Sequence, residues 1–216
     1  MATWMSHFRV AQAVLDILGE DAFDTECFAV GNIAPDCGVP NPDGKTYTPD
    51  KNVSHYGHSH NRDYKRFREK YLKDFASESH RSFYIGYYVH LIADEVWSNT
   101  LLYPKIDAFA SVYESVNAFV WRMKSDWRKR DDEFILNDPE LKIYKAFCNI
   151  KSFDNCFLDF FPKNAFDIQL ERVRALYSTQ YESEYPMDYL SKDELDKFVI
   201  DAATESCRRL KSEGII

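Results

Sequence analysis

The chain has no run approaching the ~18 apolar residues that a membrane-spanning helix needs. It has no excess of positive charge either: at −8 net and a pI near 5.3 it offers no footprint for duplex nucleic acid or an anionic bilayer. The five cysteines form no CxxC spacing. That absence sets aside a disulfide framework and a thiolate zinc site, and suits a reducing cytoplasm. The start, "MATWMSHFRV", lacks a basic segment followed by an apolar one, so no secretory signal is expected. G-x-S-x-G, H-E-x-x-H and P-loop patterns are all missing, which leaves acyl transfer, peptide hydrolysis and P-loop chemistry unsupported.

What is present reads as helix. Of the 216 residues, 45% are hydrophobic and 16% aromatic, enough for one full core and best explained as rings packed inside it. In "SHFRVAQAVLDILG", His7, Ala11, Val14 and Leu18 share a face, Ser6 is placed to cap the start and Gly19 to stop it. "RDYKRFREKYLKDFA" carries Tyr64, Phe67, Tyr71, Leu72 and Phe75 on one stripe. A third helix is expected over Glu78 to Trp97. A fourth follows Pro104, with Ile106, Phe109, Val112, Val116, Val120, Met123 and Trp127 at helical steps. Ser191 and Glu194 form a capping-box pattern before a last helix that closes near Gly214. No strand alternation, repeat or low-complexity tract stands out. The expectation is an all-α, single-domain bundle over 1–216, interrupted by an irregular, proline-rich loop at 31–60.

The histidines are unevenly placed. All six lie between positions 7 and 90, and the rest of the chain has none. His90 and Asp94, in "FYIGYYVHLIADEVW", stand four residues apart among residues that belong in a core, so both turn inward on one helix face. His7 turns inward on the first helix. The loop between them contributes Asp36 in "GNIAPD" and His55 in "SHYGHSH". Imidazole nitrogen with carboxylate oxygen suits zinc or a similar divalent ion, and a bundle can draw ligands from facing helices. The same residues have plainer readings. His7 can be a hydrogen-bonded core histidine, His90 and Asp94 can bond each other, Asp36 can close a turn, and His55, His58 and His60 can be solvated.

The four segments "TWMSHFRVA", "VGNIAPDCGVP", "SHYGH" and "FYIGYYVHLIADEVW", in this order, resemble the zinc-dependent phospholipase C family, in particular its bacterial intracellular phospholipase C/D domain branch. The resemblance covers roughly the first hundred residues. It implies a helical bundle holding two or three zinc ions, with His7, Asp36, His55, His90 and Asp94 at ligand positions. Asp36, His55, His90 and Asp94 would surround one zinc, Asp94 would bridge to a second ion held partly by His7, and Asp36 would be the general base. Two departures stand out. Secreted relatives ligate metal through a processed N-terminal tryptophan, whereas Trp4 here lies inside the sequence and is expected to keep only a packing role. Secreted relatives also use a downstream histidine and then a His/Glu pair, which this chain lacks. Replacements are sought among His58, His80, Asp126 and Asp131, although "SDWRKRDDEF" reads first as a solvated helix end.

The resemblance implies hydrolysis of a phosphoester by a zinc-activated water, needing no serine or cysteine nucleophile. A phospholipid, a soluble phosphodiester or phosphomonoester, and single-stranded nucleic acid all remain open as substrate, and so does the oligomeric state. Phe83, Tyr87 and Tyr88 can line a pocket or fill the core. A metal-binding protein without catalysis is the alternative. An HD-domain phosphohydrolase ranks below it, because the adjacent His-Asp dipeptide is missing.

Overall fold

In the computed structural model, which describes residues 2–57, 62–138 and 140–216, the helices begin and end where side chains satisfy their free backbone groups. α1 (Trp4–Leu18) starts because the Thr3 hydroxyl accepts the Ser6 N–H at 3.2 Å. Thr3, not Ser6, is therefore its cap: the helix begins three residues ahead of the position expected for it. Gly19, at φ 107°, ends it in a backbone conformation that favours glycine. α2 (Thr25–Ile33) is capped by Asp24 and buries every residue from Cys27 to Ile33. α5 (Glu78–Trp97) is capped by Ser77 and matches the range expected for the third helix.

The packing of α2 on α5 sets the frame of the molecule. Gly31 and Gly86 lie at the crossing, and a Cβ on either would overlap main-chain atoms of the other helix, Phe83 in one case and Phe28 in the other. Absence of side chains there lets the two backbones approach closely. α1 and α10 (Lys192–Ser212) pack on each other and against α5, and α8 (Lys142–Asn149) covers α1 and α2. α10 opens with the expected capping box, Ser191 and Glu194 each accepting the other's N–H.

The irregular region is more structured than expected. Gly31 belongs to α2, and Ala34–Asp36 form a single 3-10 turn. β1 (Val39–Pro40) and β2 (Tyr47–Thr48) then pair antiparallel, Val39 opposite Thr48, around a turn held by the Asp43 carboxylate. α3 (Lys51–Ser54) follows. α4 (Tyr64–Tyr71) buries Tyr64, Phe67 and Tyr71 as its stripe requires.

The expected fourth helix is two helices. α6 (Tyr103–Phe109) ends, and α7 (Val116–Asn137) starts afresh where the Ser115 hydroxyl accepts the Ala118 N–H. Val112 and Val116, placed by periodicity on a buried face, are 82% and 51% exposed, because the break takes them off the stripe that Met123 and Trp127 follow into the core. α9 (Ala165–Tyr177) completes the bundle. Large rings fill the interior: Phe83 stacks on Phe157 at 4.2 Å and Tyr87 on Phe67 at 4.5 Å, so these aromatics are core. Among the described residues, no helix is long and apolar enough to cross a membrane.

Candidate metal centre

Four elements converge at one end of α5. His90 and Asp94 occupy its inner face one turn apart, and both are fully buried. α1 contributes His7, also fully buried. The turn after α2 contributes Asp36, and the residue after α3 contributes His55. His7 and His90 stack with ring centroids 3.7 Å apart and planes 5° apart. Asp94 Oδ1 lies 3.6 Å from His7 Nε2, while its Oδ2 lies 3.7 Å from His55 Nε2 and 3.9 Å from His90 Nε2. Asp36 Oδ1 is 3.5 Å from His55 Nε2.

None of these is a hydrogen-bond distance. The Nε2 atoms of His7, His55 and His90, Oδ1 of Asp36 and Oδ2 of Asp94 are all buried without a hydrogen-bond partner. Leaving one such atom unsatisfied costs ~1–3 kcal/mol, and five aimed at a common space are not a defect a core would keep. A cation among them satisfies all five. Two overlapping groups meet the geometry, His7 with His90 and Asp94, and Asp36 with His55 and His90, the ligand atoms within each lying within 4.8 Å of one another.

The family model described as zinc dependent phospholipase C matches residues 6–203. The chain belongs to this family. Comparison with curated proteins and with solved structures returns no match. The match extends well past the first hundred residues that carry the recognisable motifs, and the buried imidazoles and carboxylates are donors that zinc accepts.

Protonation favours ligation. Burial, with the neighbouring His7, holds His90 well below the ordinary histidine value, so it is the neutral imidazole, the form able to bind a metal. Its Nδ1 lies 2.8 Å from the main-chain oxygen of Asn32. A carbonyl only accepts, so Nδ1 carries the proton and Nε2 has the free lone pair. Burial acts to raise Asp36, but Lys51 and the imidazoles of His55 and His90 outweigh it and hold the carboxyl well below the usual range. For Asp94, too, burial is overcome by neighbouring positive charge and by His7 and His90.

The groups that brace the candidate ligands carry little sequence signal. The Trp4 indole donates to Asp36 Oδ2 at 3.2 Å, so Trp4 does more than pack. The Ala2 N–H donates to Asp94 Oδ1 at 3.1 Å. Lys51 Nζ stands 3.2 Å from Asp36 Oδ1, and Arg62 Nη1 3.6 Å from Asp94 Oδ2. Only Trp4 carried a signal, its place beside the first-helix motif.

Three of the four further candidates, His80, Asp126 and Asp131, are engaged with other partners. His58 lies outside the described residues. His80 sits at the start of α5, its Nδ1 2.9 Å from Ser77 Oγ. Asp126 and Asp131 are fully or nearly buried, which corrects the reading of "SDWRKRDDEF" as a solvated helix end. Asp126 pairs with Arg122 at 2.7 Å and accepts the Asp188 and Tyr189 N–H groups. Asp131 accepts from Thr3 at 2.7 Å and from Tyr177 at 2.9 Å. Both clamp distant segments onto α7.

Proposed function

We propose that this protein is a zinc-dependent phosphoester hydrolase of the phospholipase C type, with His7, Asp36, His55, His90 and Asp94 as metal ligands and Asp36 as the proton acceptor. The observation that carries the reading is the convergence of five buried ligand atoms with no hydrogen-bond partner. His90 has one free nitrogen and can serve one ion. Asp94 turns one oxygen to His7 and the other to His55, so it is the group able to serve two. If two zinc ions bind, Asp36, His55 and His90 would hold the first, His7 would hold the second, and Asp94 would serve both.

Zinc bound there would lower the pKa of a water towards ~7 and offset charge on the phosphoryl oxygens. The chain's own residues do the rest. With Asp36 Oδ1 turned to the cluster, Oδ2, which the Trp4 indole orients, would take the proton of the attacking water. The water oxygen would form the new bond to phosphorus as the ester P–O bond breaks, and the leaving oxygen would depart as the alcohol with the proton that Asp36 took up. Burial of His7, His90 and Asp94 excludes other water from that face. The family points to a phosphoester, and the acidic chain suits a soluble one at least as well as an anionic lipid surface. The five unpaired cysteines agree with a reducing compartment such as the cytoplasm.

The test is metal content by mass spectrometry on protein purified without a metal-affinity tag, with turnover of p-nitrophenyl phosphate and bis(p-nitrophenyl) phosphate. Near-stoichiometric zinc and turnover that chelation abolishes are expected. Zinc without turnover of either ester would leave a metal-binding protein and overturn the hydrolase.

A further inference from the structure

Arg62 occupies a place that the metal ligands do not account for. Its side chain is 14% exposed, and Nη1 stands 3.6 Å from Asp94 Oδ2, one of the oxygens that turn to the ligand cluster. The group is anchored there, since Nη1 donates to the Tyr64 hydroxyl at 3.1 Å and Tyr64 is itself buried at the start of α4. Its Nε is buried with no hydrogen-bond partner. Lys51 faces Asp36 at 3.2 Å and offsets that carboxylate, but it is 54% exposed, so solvent screens its charge beyond that contact.

The two carboxylates therefore meet two cations before any metal arrives. Each divalent ion then adds two positive charges that no group in the cluster offsets. A guanidinium held beside a metal ligand weakens metal binding by like-charge repulsion, unless an anion shares the site. Tyr64 nevertheless keeps it there. A guanidinium presents its N–H groups as a planar fork that matches the oxygens of phosphate, and here one arm is fixed and Nε is unused.

We infer that Arg62 binds the phosphoryl group and that the preferred ligand is a phosphate dianion, the terminal group of a phosphomonoester or inorganic phosphate, over a monoanionic diester. This rests on the hydrolase reading and adds its substrate class. Arg62 touches the phosphoryl oxygens, Tyr64 positions Arg62, and Lys51 adds a screened charge at the rim.

The experiment is calorimetric titration of inorganic phosphate and of dimethyl phosphate into the zinc-loaded protein, beside Arg62→Gln and Arg62→Lys, with zinc content measured on each. Phosphate should bind the unaltered protein at least tenfold more tightly than dimethyl phosphate. It should weaken about tenfold or more in Arg62→Gln, equivalent to ~1.4 kcal/mol, and recover in part in Arg62→Lys, with zinc retained in both. Retained zinc also reports that each variant is folded. Were Arg62 only a counter-ion for Asp94, Arg62→Gln would keep or tighten zinc and bind phosphate as before, and that result overturns the inference while the metal centre stands. Equal affinity for phosphate and dimethyl phosphate overturns the preference for a dianion. Absence of zinc from the unaltered protein overturns the hydrolase reading itself.

Discussion

The Nδ1 of His90 lies 2.8 Å from the main-chain oxygen of Asn32, and this one bond sets which end of the imidazole faces the buried His/Asp cluster. Because the acceptor is backbone, it is supplied by the position of α2, not by a side chain. The orientation of a candidate ligand on α5 is thus set by how closely another helix approaches.

His90→Ala and Asp94→Ala should each lose most of the bound zinc, because each removes a buried donor from the cluster. The fold should survive in both, since neither residue anchors the aromatic core. Zinc content by mass spectrometry with circular dichroism checks this. Full zinc occupancy in both variants would show that the ions sit elsewhere.

Gly31→Ala and Gly86→Ala should lower stability by about 1–3 kcal/mol or more, the range for overfilling a packed core. The clash is with backbone, which cannot rotate away as a side chain would: a Cβ at Gly86 meets the Asn32 nitrogen at 2.9 Å as well as the Phe28 oxygen. Forcing α2 from α5 also moves the Asn32 oxygen from His90, so zinc affinity should fall along with the urea midpoint. Unchanged midpoints would mean that the helices have room that the structure denies.

Much of the site was legible in local pattern. His90 and Asp94 declare themselves by helical spacing within an apolar run, and the capping box at Ser191 and Glu194 formed as written. What was hidden depends on long-range partners. Asp131 looks solvated among its charged neighbours, yet its partners are Thr3 and Tyr177, far off in sequence. Arg62 opens what reads as an ordinary charged helix, and only the tertiary fold brings it to Asp94. The break between α6 and α7 was missed because apolar periodicity runs through it, while the Ser115 hydroxyl that starts a new helix is a weaker local signal.

Trp4→Phe should keep zinc and lose turnover on the order of tenfold, the effect of removing one hydrogen bond to a charged group. The ring still packs, but Asp36 Oδ2 loses its donor and the carboxylate is free to rotate. Asp36→Asn should cost more, ~10²–10⁴-fold, if it is the proton acceptor. Steady-state turnover of the better nitrophenyl ester checks both. Equal rates in Trp4→Phe and the unaltered protein would remove Trp4 from the machinery.

Asp131 gives the pH dependence a sign. Burial pushes its carboxyl up from 3.8 to about 7, although the hydroxyls of Thr3 and Tyr177 donate to it and pull the other way. Between those values the folded chain holds a proton there that the unfolded chain has released, so stability falls as pH rises. The contribution is full below 3.8, declines as pH climbs, and is wholly lost once pH passes about 7. The total loss is on the order of 4 kcal/mol, at ~1.4 kcal/mol per unit. Asn cannot ionise, so Asp131→Asn should escape this decline whatever it does to the hydrogen bonds. Its stability relative to the unaltered protein should therefore improve between pH 4 and pH 7 and level off above that in urea titrations. A difference that stays constant across that window would mean Asp131 is already ionised in the folded protein. Thr3 would then cap α1 beside a fixed charge, and the helix that carries His7 would be tied to α7 by an ion throughout that window.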